Sequence, residues 1–168
     1  HVGRDAAPGA YTGTVKVAAQ GREPVTADFR LTVWSFTLPE GPSIRSNFGG
    51  FGRRLERGHK VAEDGPELRA LERRYAATLA AHRLCPPPPG YLLPRMKSDG
   101  SVDPAETHAA LKEWIEGFGV TGFPLSLHGG DPLGKDRDRN IAYLRSMYAY
   151  LKANGWEKLA YIYVLDEP

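Results

Sequence analysis

Apolar and polar residues alternate along two neighbouring stretches near the start of the chain. Tyr11 and Val15 share one parity on the first stretch, and Phe29 and Leu31 do the same on the second. A period of two over about nine residues on each arm predicts an antiparallel hairpin with one buried face, turning at residues 20–21. Because two strands alone are marginally stable in water, we expect a partner sheet upstream, or docking of the hairpin on the residues after it.

From about residue 40 the pattern changes to helices that alternate with short apolar runs. Asp64-Gly-Pro-Glu67 and Asp103-Pro-Ala-Glu106 each place a capping residue, a proline and an acid at a helix start. A third helix is predicted from near Asp138 to Asn154-Gly155. The apolar runs predict strands at residues 43–48, 82–85, 122–127 and 158–165. The last run, KLAYIYVL, is apolar on both parities and predicts a strand that is buried on both faces.

This order of elements predicts an α/β architecture. An open doubly wound sheet and half of an eightfold barrel both fit it, but no glycine-rich phosphate loop follows a strand. We therefore favour a partial (β/α) TIM-type barrel of about four βα units, which is expected to continue past Pro168. Residues 1–38 are predicted to be the C-terminal hairpin of a β-sandwich, and residues 39–168 the N-terminal half of a (β/α)8 catalytic barrel.

Composition excludes several classes of function. The 22 Lys and Arg residues nearly balance 20 Asp and Glu, which gives no electrostatic case for a nucleic acid or membrane-surface partner. No apolar stretch approaches the ~20 residues of a membrane span. Cys85 is the single cysteine, predicted to be a small buried side chain rather than a reactive thiol. The sequence has no metal-ligand spacing, so no metal and no cofactor are predicted. The cluster of Arg53, Arg54 and Arg57 indicates a solvated loop.

Two acids directly follow the most apolar strand. Asp166 and Glu167 fall where barrel enzymes carry catalytic groups, at the carboxyl-terminal rim. Pro168 restricts Glu167 to an extended backbone, which favours a defined side-chain direction. One acid that stays protonated beside an ionised neighbour suits acid-assisted glycoside cleavage. The alternative is that this tripeptide caps a following helix and faces water.

A family resemblance rests on three segments. Asp166-Glu167-Pro168 after YIYVL resembles the active-site strand of glycoside hydrolase family 123 and its uncharacterised relatives. The stretch PGAYTGTVKV…PVTADFRLTVWSFTLPE is similar to the sandwich hairpin and linker that precede their catalytic barrel. His82-Arg83, at the end of the first long predicted helix, also resembles those proteins. Together the segments span the chain from residue 8 to residue 168.

The resemblance implies a β-N-acetylhexosaminidase that acts on N-acetylgalactosamine by a substrate-assisted, retaining mechanism. The resemblance implies that Glu167 is the general acid in the first step and the base in the second. It also implies that Asp166 orients the acetamido group as it becomes an oxazoline-like intermediate. The implied partner is a glycan or glycoconjugate, and the implied location is extracellular or periplasmic.

Four further residues are candidates for binding the substrate. His82 and Arg83 could bond sugar hydroxyls, or they could only complement the dipole of the helix that they end. His128 and Asn47 each follow a predicted strand and could reach the same rim, although a loop position with no role is the alternative. Trp34, Trp114 and Trp156 could stack on a sugar ring, but packing is the safer interpretation for the last two.

Two other interpretations stay open at this point. The chain could be a non-catalytic carbohydrate-binding or scaffold module in which the sandwich binds and the barrel-like part is inert. It could also be a truncated and inactive fragment of the enzyme. Turnover of an N-acetyl-β-galactosaminide separates an enzyme from a binding module.

Overall fold

The computed structural model describes residues 2–48 and 51–163. The chain divides into two compact units, His1–Pro39 and Glu40–Pro168. The first unit is a hairpin of two antiparallel strands, β1 (Gly9–Val17) and β2 (Val25–Val33), paired in register from Gly9 opposite Val33 to Val17 opposite Val25. The connection turns at Gly21, which has a φ of 72°. The predicted hairpin and its turn are therefore confirmed.

One face of this hairpin is apolar, but it is not buried. Val15 is 51% exposed and Phe29 is 46% exposed. Phe29 lies across from Gly13, and a side-chain carbon at Gly13 would lie only 2.6 Å from the phenyl ring. The glycine thus makes room for the ring on a two-stranded ribbon that has no second layer of its own. Burial of this face by a partner sheet or by docking stays a prediction.

The second unit contains four α-helices: α1 (Gly52–His59), α2 (Pro66–Ala81), α3 (His108–Phe118) and α4 (Arg137–Ala153). Helix α2 begins at the predicted proline. Helix α4 ends as predicted, with Asn154 as its C-cap and a left-handed Gly155 (φ 72°) after it. Helix α3 begins later than predicted, because Asp103 Oδ1 accepts a hydrogen bond from Ala105 N (3.1 Å) and caps a separate turn before the helix.

Helix α1 was not predicted. The arginine-rich segment is helical rather than a loop, although the three arginines are exposed, as the solvated interpretation required. Leu55 is its single buried residue, at 4% exposure. One apolar anchor in eight residues produces no helical period that the sequence could reveal.

The strands of the second unit form two small sheets in the described residues, and no closed barrel is present among them. Strands β3 (Arg95–Met96) and β4 (Val102–Asp103) are antiparallel. Strands β5 (Phe123–Leu125) and β6 (Ala160–Ile162) are parallel, with α4 between them in the sequence. This βαβ unit makes the second unit a mixed α/β structure.

Strand β6 is more exposed than the sequence predicted. Tyr161 is 38% exposed and Ile162 is 42% exposed, so burial on both faces is wrong for this part of the strand. In the described residues β6 pairs with β5 alone and is an edge strand, which leaves part of its surface uncovered.

Two predicted strands are absent from the described structure. Residues 43–48 are irregular: Cys85 N donates to the hydroxyl of Ser46 (2.9 Å) and Phe48 N donates to Cys85 O (3.4 Å), without a regular strand ladder. Residues 82–85 are used in ending α2: Leu84 N donates to Leu79 O (2.9 Å), and Arg83 is left-handed with a φ of 59°.

The core of the second unit lies between α3, α4 and β5. Phe123, Leu111 and Met147 are fully buried there. Cys85 is also fully buried, with its Sγ 3.3 Å from Gly122 O. The prediction that this cysteine fills the core is therefore confirmed.

Candidate functional site

A cavity of about 560 Å³ opens within the second unit. Its volume falls in the range of small-molecule sites, about 300–1,000 Å³. The walls come from the start of α1, one face of α2, the segment that follows Cys85, and the end of β5. Principal wall residues are Asn47, Phe51, Leu68, Arg69, Glu72, Pro86, Pro88, Tyr91, Trp114, Pro124 and Ser126.

A buried carboxylate lies in this wall. Leu68, Glu72 and Ala76 are the buried residues of α2, and their spacing of four places them on one helical face. Glu72 is 7% exposed, and its Oε2 accepts a hydrogen bond of 2.8 Å from the hydroxyl of Tyr91. Within the described residues this is the single hydrogen bond of the carboxylate, which has about four acceptor positions.

Tyr91 joins the carboxylate to a neighbouring cation. Burial, reinforced by the hydrogen bond to Glu72, raises the pKa of the Tyr91 hydroxyl well above its usual range. The hydroxyl therefore stays protonated and remains a hydrogen-bond donor at any physiological pH. The guanidinium of Arg69 lies 5.3 Å from the centre of the Tyr91 ring, a cation–π distance that holds the ring in place.

The proline run and Trp114 form a stiff part of the same wall. Trp114 is 3% exposed, and its indole Nε1 donates to Pro86 O at 3.1 Å. The guanidinium of Arg73 lies 6.0 Å from the Trp114 ring. Prolines lack a backbone donor and have a fixed φ, so this wall is apolar and loses little conformational entropy on binding a ligand.

Asn47 connects this cavity to the parallel strands. Its Nδ2 donates a hydrogen bond to the hydroxyl of Tyr161 on β6. Asn47 also lines a second cavity of about 320 Å³, which Tyr161 and Gly122 share. The side chains of Pro124 and Tyr161, which are paired across β5 and β6, thus lie toward the cavities, whereas Phe123 lies in the core.

The structure brings one of the six predicted site residues to the larger cavity. Asn47 lines it; His82, Arg83 and His128 do not, as far as the described residues define its walls. His82 is the exposed C-cap of α2, and Arg83 follows it in the left-handed turn. Asp166 and Glu167, the predicted catalytic pair, lie outside the described residues.

His128 is held in place by a buried asparagine. Its backbone N donates to Asn140 Oδ1 at 2.8 Å, and its carbonyl accepts from Asn140 Nδ2 at 2.8 Å. The same Nδ2 is within 3.0 Å of Asp136 O. The imidazole makes an edge contact with the ring of Tyr143, with centroids 4.7 Å apart. Asn140 therefore fixes the loop that follows β5.

Substituting Asn140 by alanine is expected to destabilise the chain by about 1–3 kcal/mol, because buried backbone groups lose their partners. Urea unfolding measures this change, and backbone hydrogen exchange shows whether it begins in residues 128–136. Asp138→Ala is the matched control, since Asp138 is on the exposed side of the same helix and is bonded to Arg137 alone in the described structure. Equal stability of the two variants would contradict this role of Asn140.

No group of three or more His, Cys, Asp or Glu side chains within residues 2–48 and 51–163 is placed to hold a metal ion. Over the same residues, the helices are too short or too polar to cross a membrane.

Sequence reasoning missed Glu72 and Tyr91. A signal for Glu72 was present, because it lies four residues after Leu68 and four before Ala76. The helical spacing in the sequence runs through Leu68, Leu71, Tyr75, Leu79 and His82 and leaves out Glu72, yet Tyr75 is 39% exposed. No local signal pointed to Tyr91, whose partner is 19 residues away.

Comparison with known proteins does not place this chain in a family. No protein-family model matches it, and no curated protein is significantly similar to it in sequence. The resemblance to glycoside hydrolase family 123 therefore stays a prediction.

Proposed function

We propose that this chain is part of a glycoside hydrolase, a β-N-acetylhexosaminidase that cleaves N-acetylgalactosaminides by substrate-assisted, retaining hydrolysis. The larger unit is then the first half of a (β/α) barrel, and the hairpin is the end of a β-sandwich. Asp166 and Glu167 are the catalytic pair in this proposal.

The observation that carries the proposal is the parallel pairing of β5 and β6. Parallel strands have their carboxyl ends at the same edge of a sheet, which is where α/β enzymes bind their substrates. Ser126 follows β5 at that edge and lines the larger cavity. In the sequence, Asp166 and Glu167 follow β6, so the edge to which they are expected to belong has a cavity of suitable volume.

A contact between Asn47 and Tyr161 links the cavity wall to β6. The Nδ2 of Asn47 donates a hydrogen bond to the hydroxyl of Tyr161, and Asn47 lines the larger cavity. The strand that Asp166 and Glu167 follow in the sequence is therefore joined to that cavity.

The proposed reaction has two steps. The acetamido oxygen of the substrate attacks the anomeric carbon as Glu167 gives its proton to the departing glycosidic oxygen, while Asp166 accepts a hydrogen bond from the acetamido N–H. Water then attacks the anomeric carbon of the resulting oxazoline-like intermediate, and Glu167 takes a proton from that water. The product keeps the anomeric configuration of the substrate, and no separate carboxylate nucleophile is needed.

Turnover tests the proposal. The product of the whole gene is incubated with p-nitrophenyl N-acetyl-β-galactosaminide and, as a matched control, with p-nitrophenyl β-galactoside. Release of nitrophenol is expected from the first substrate alone, because the second has no acetamido oxygen. Equal release from both substrates, or none from either, would count against the proposal.

One observation favours a binding module as the second candidate. In the first unit, the rings of Trp34 and Phe36 lie 5.4 Å apart, and these residues are 67% and 60% exposed. Exposed aromatic faces are suited to ligand contact. Sugar binding that disappears in Trp34→Ala, without any turnover in the unsubstituted protein, would support this alternative.

A further inference from the structure

We infer that Glu72 and Tyr91 form a subsite that binds a hydroxyl group of a sugar, and that they determine which sugar the cavity accepts. This inference rests on the proposed function for its choice of ligand. Its residues are separate from the predicted catalytic pair, and they lie in a different part of the chain.

The first argument is the state of the carboxylate. Glu72 is 7% exposed and has one hydrogen bond within the described structure, that from Tyr91. The remaining acceptor positions of the carboxylate are open to a ligand that donates hydrogen bonds. A sugar hydroxyl is such a donor, and it brings no charge that would have to be desolvated.

The second argument is the geometry around the carboxylate. The Tyr91 hydroxyl holds Oε2 at 2.8 Å, so the orientation of the group is set before any ligand arrives. Oε1 lies beside the α1 terminus, where a side-chain carbon at Gly52 would be 3.5 Å away. Gly52 and Glu72 both line the cavity. Preorganised acceptors lose little entropy on binding.

The third argument is the mixture of surfaces in the cavity. Phe51, Tyr91 and Trp114 contribute aromatic carbon to walls that also contain the prolines and Glu72. Sugars present apolar C–H faces and polar hydroxyl edges, so they match a site of mostly apolar walls with a few placed polar groups. Arg69 also lines the cavity, and its guanidinium lies over the Tyr91 ring.

Binding tests the inference independently of turnover. The dissociation constant for methyl N-acetyl-β-galactosaminide is measured by calorimetry on the product of the whole gene carrying Glu167→Gln, so that the ligand is not consumed. Adding Glu72→Gln is expected to raise this constant about 10-fold or more, the loss of one charged hydrogen bond. Tyr91→Phe is expected to raise it less, because the carboxylate remains. Glu67→Gln, in the exposed first turn of the same helix, is the matched control and leaves it unchanged.

Deoxy sugars distinguish direct contact from a structural role. In the protein that keeps Glu72, removing the sugar hydroxyl that Glu72 binds is expected to raise the dissociation constant about 10-fold. In Glu72→Gln, the same deoxy sugar is expected to bind about as well as the parent sugar. The subsite is overturned if every deoxy sugar raises the dissociation constant by the same factor in both proteins. It is also overturned if Glu72→Gln and Tyr91→Phe bind the sugar as tightly as the Glu67→Gln control. Absence of sugar binding in the unsubstituted cavity overturns it as well.

The two proposals fail in different ways. Sugar binding that depends on Glu72 without any hydrolysis would overturn the proposed enzyme and leave the subsite. Hydrolysis with an unchanged KM in Glu72→Gln would overturn the subsite and leave the enzyme.

Discussion

Substituting Glu167 by glutamine is expected to lower kcat/KM for an N-acetyl-β-galactosaminide with an unactivated aglycone by about 10²–10⁴-fold, the usual contribution of general acid–base catalysis. Glutamine keeps the size of the side chain but cannot give a proton to the departing oxygen. The measurement is the initial rate of aglycone release from a methyl or disaccharide substrate. A loss below about tenfold would remove Glu167 from the role of general acid.

The leaving group separates the two members of the pair. A dinitrophenyl aglycone departs without protonation, so the first turnover of Glu167→Gln on that substrate is expected to be nearly normal and to appear as a burst. Asp166→Asn is expected to slow the first turnover on both aglycones, because the acetamido group loses its hydrogen-bond acceptor in each case. The same dependence on the aglycone in both variants would show that the assigned roles are wrong.

Substituting Phe123 by alanine is expected to lower the free energy of unfolding by about 3–5 kcal/mol, which is typical of a buried phenylalanine. Phe123 has no exposed surface and lies in the core with Leu111 and Met147. The change removes buried apolar surface and leaves a cavity that the neighbouring helices fill only in part. Urea unfolding followed by far-ultraviolet circular dichroism measures the effect.

Phe48→Ala is the matched control for this substitution. Phe48 belongs to the same unit but is 46% exposed, and its backbone N, rather than its side chain, donates the hydrogen bond to Cys85 O. A change of less than about 1 kcal/mol is expected at such a position. If both substitutions destabilise the protein equally, β5 is not part of the stable core that supports the cavity.

The two faces of β5 have different environments. Phe123 and Leu125 are directed to the core, whereas Pro124 and Ser126 line the cavity. Packing on the core side therefore supports the position of the cavity wall on the other side. For this reason the activity of each variant should be compared only at a temperature where circular dichroism shows that it is folded.

The sequence determined the elements that depend on near neighbours. The hairpin was predictable because its period of two continues over both arms and a glycine stands at the turn. The start of α2 and the end of α4 were predictable because proline and asparagine-glycine act within one helical turn. The locations of β5 and β6 followed from apolar runs between helices, although each strand is shorter than predicted.

Only the tertiary structure decided which faces became buried. The sequence places Leu68, Leu71, Tyr75 and Leu79 at helical spacing on α2, but the buried residues of the helix are Leu68, Glu72 and Ala76. The hydrogen bond that Glu72 accepts there comes from Tyr91, which lies 19 residues further along the chain. Local patterns describe interactions within a few residues, whereas the cavity arises from contacts between distant segments, and no period in the sequence encodes those.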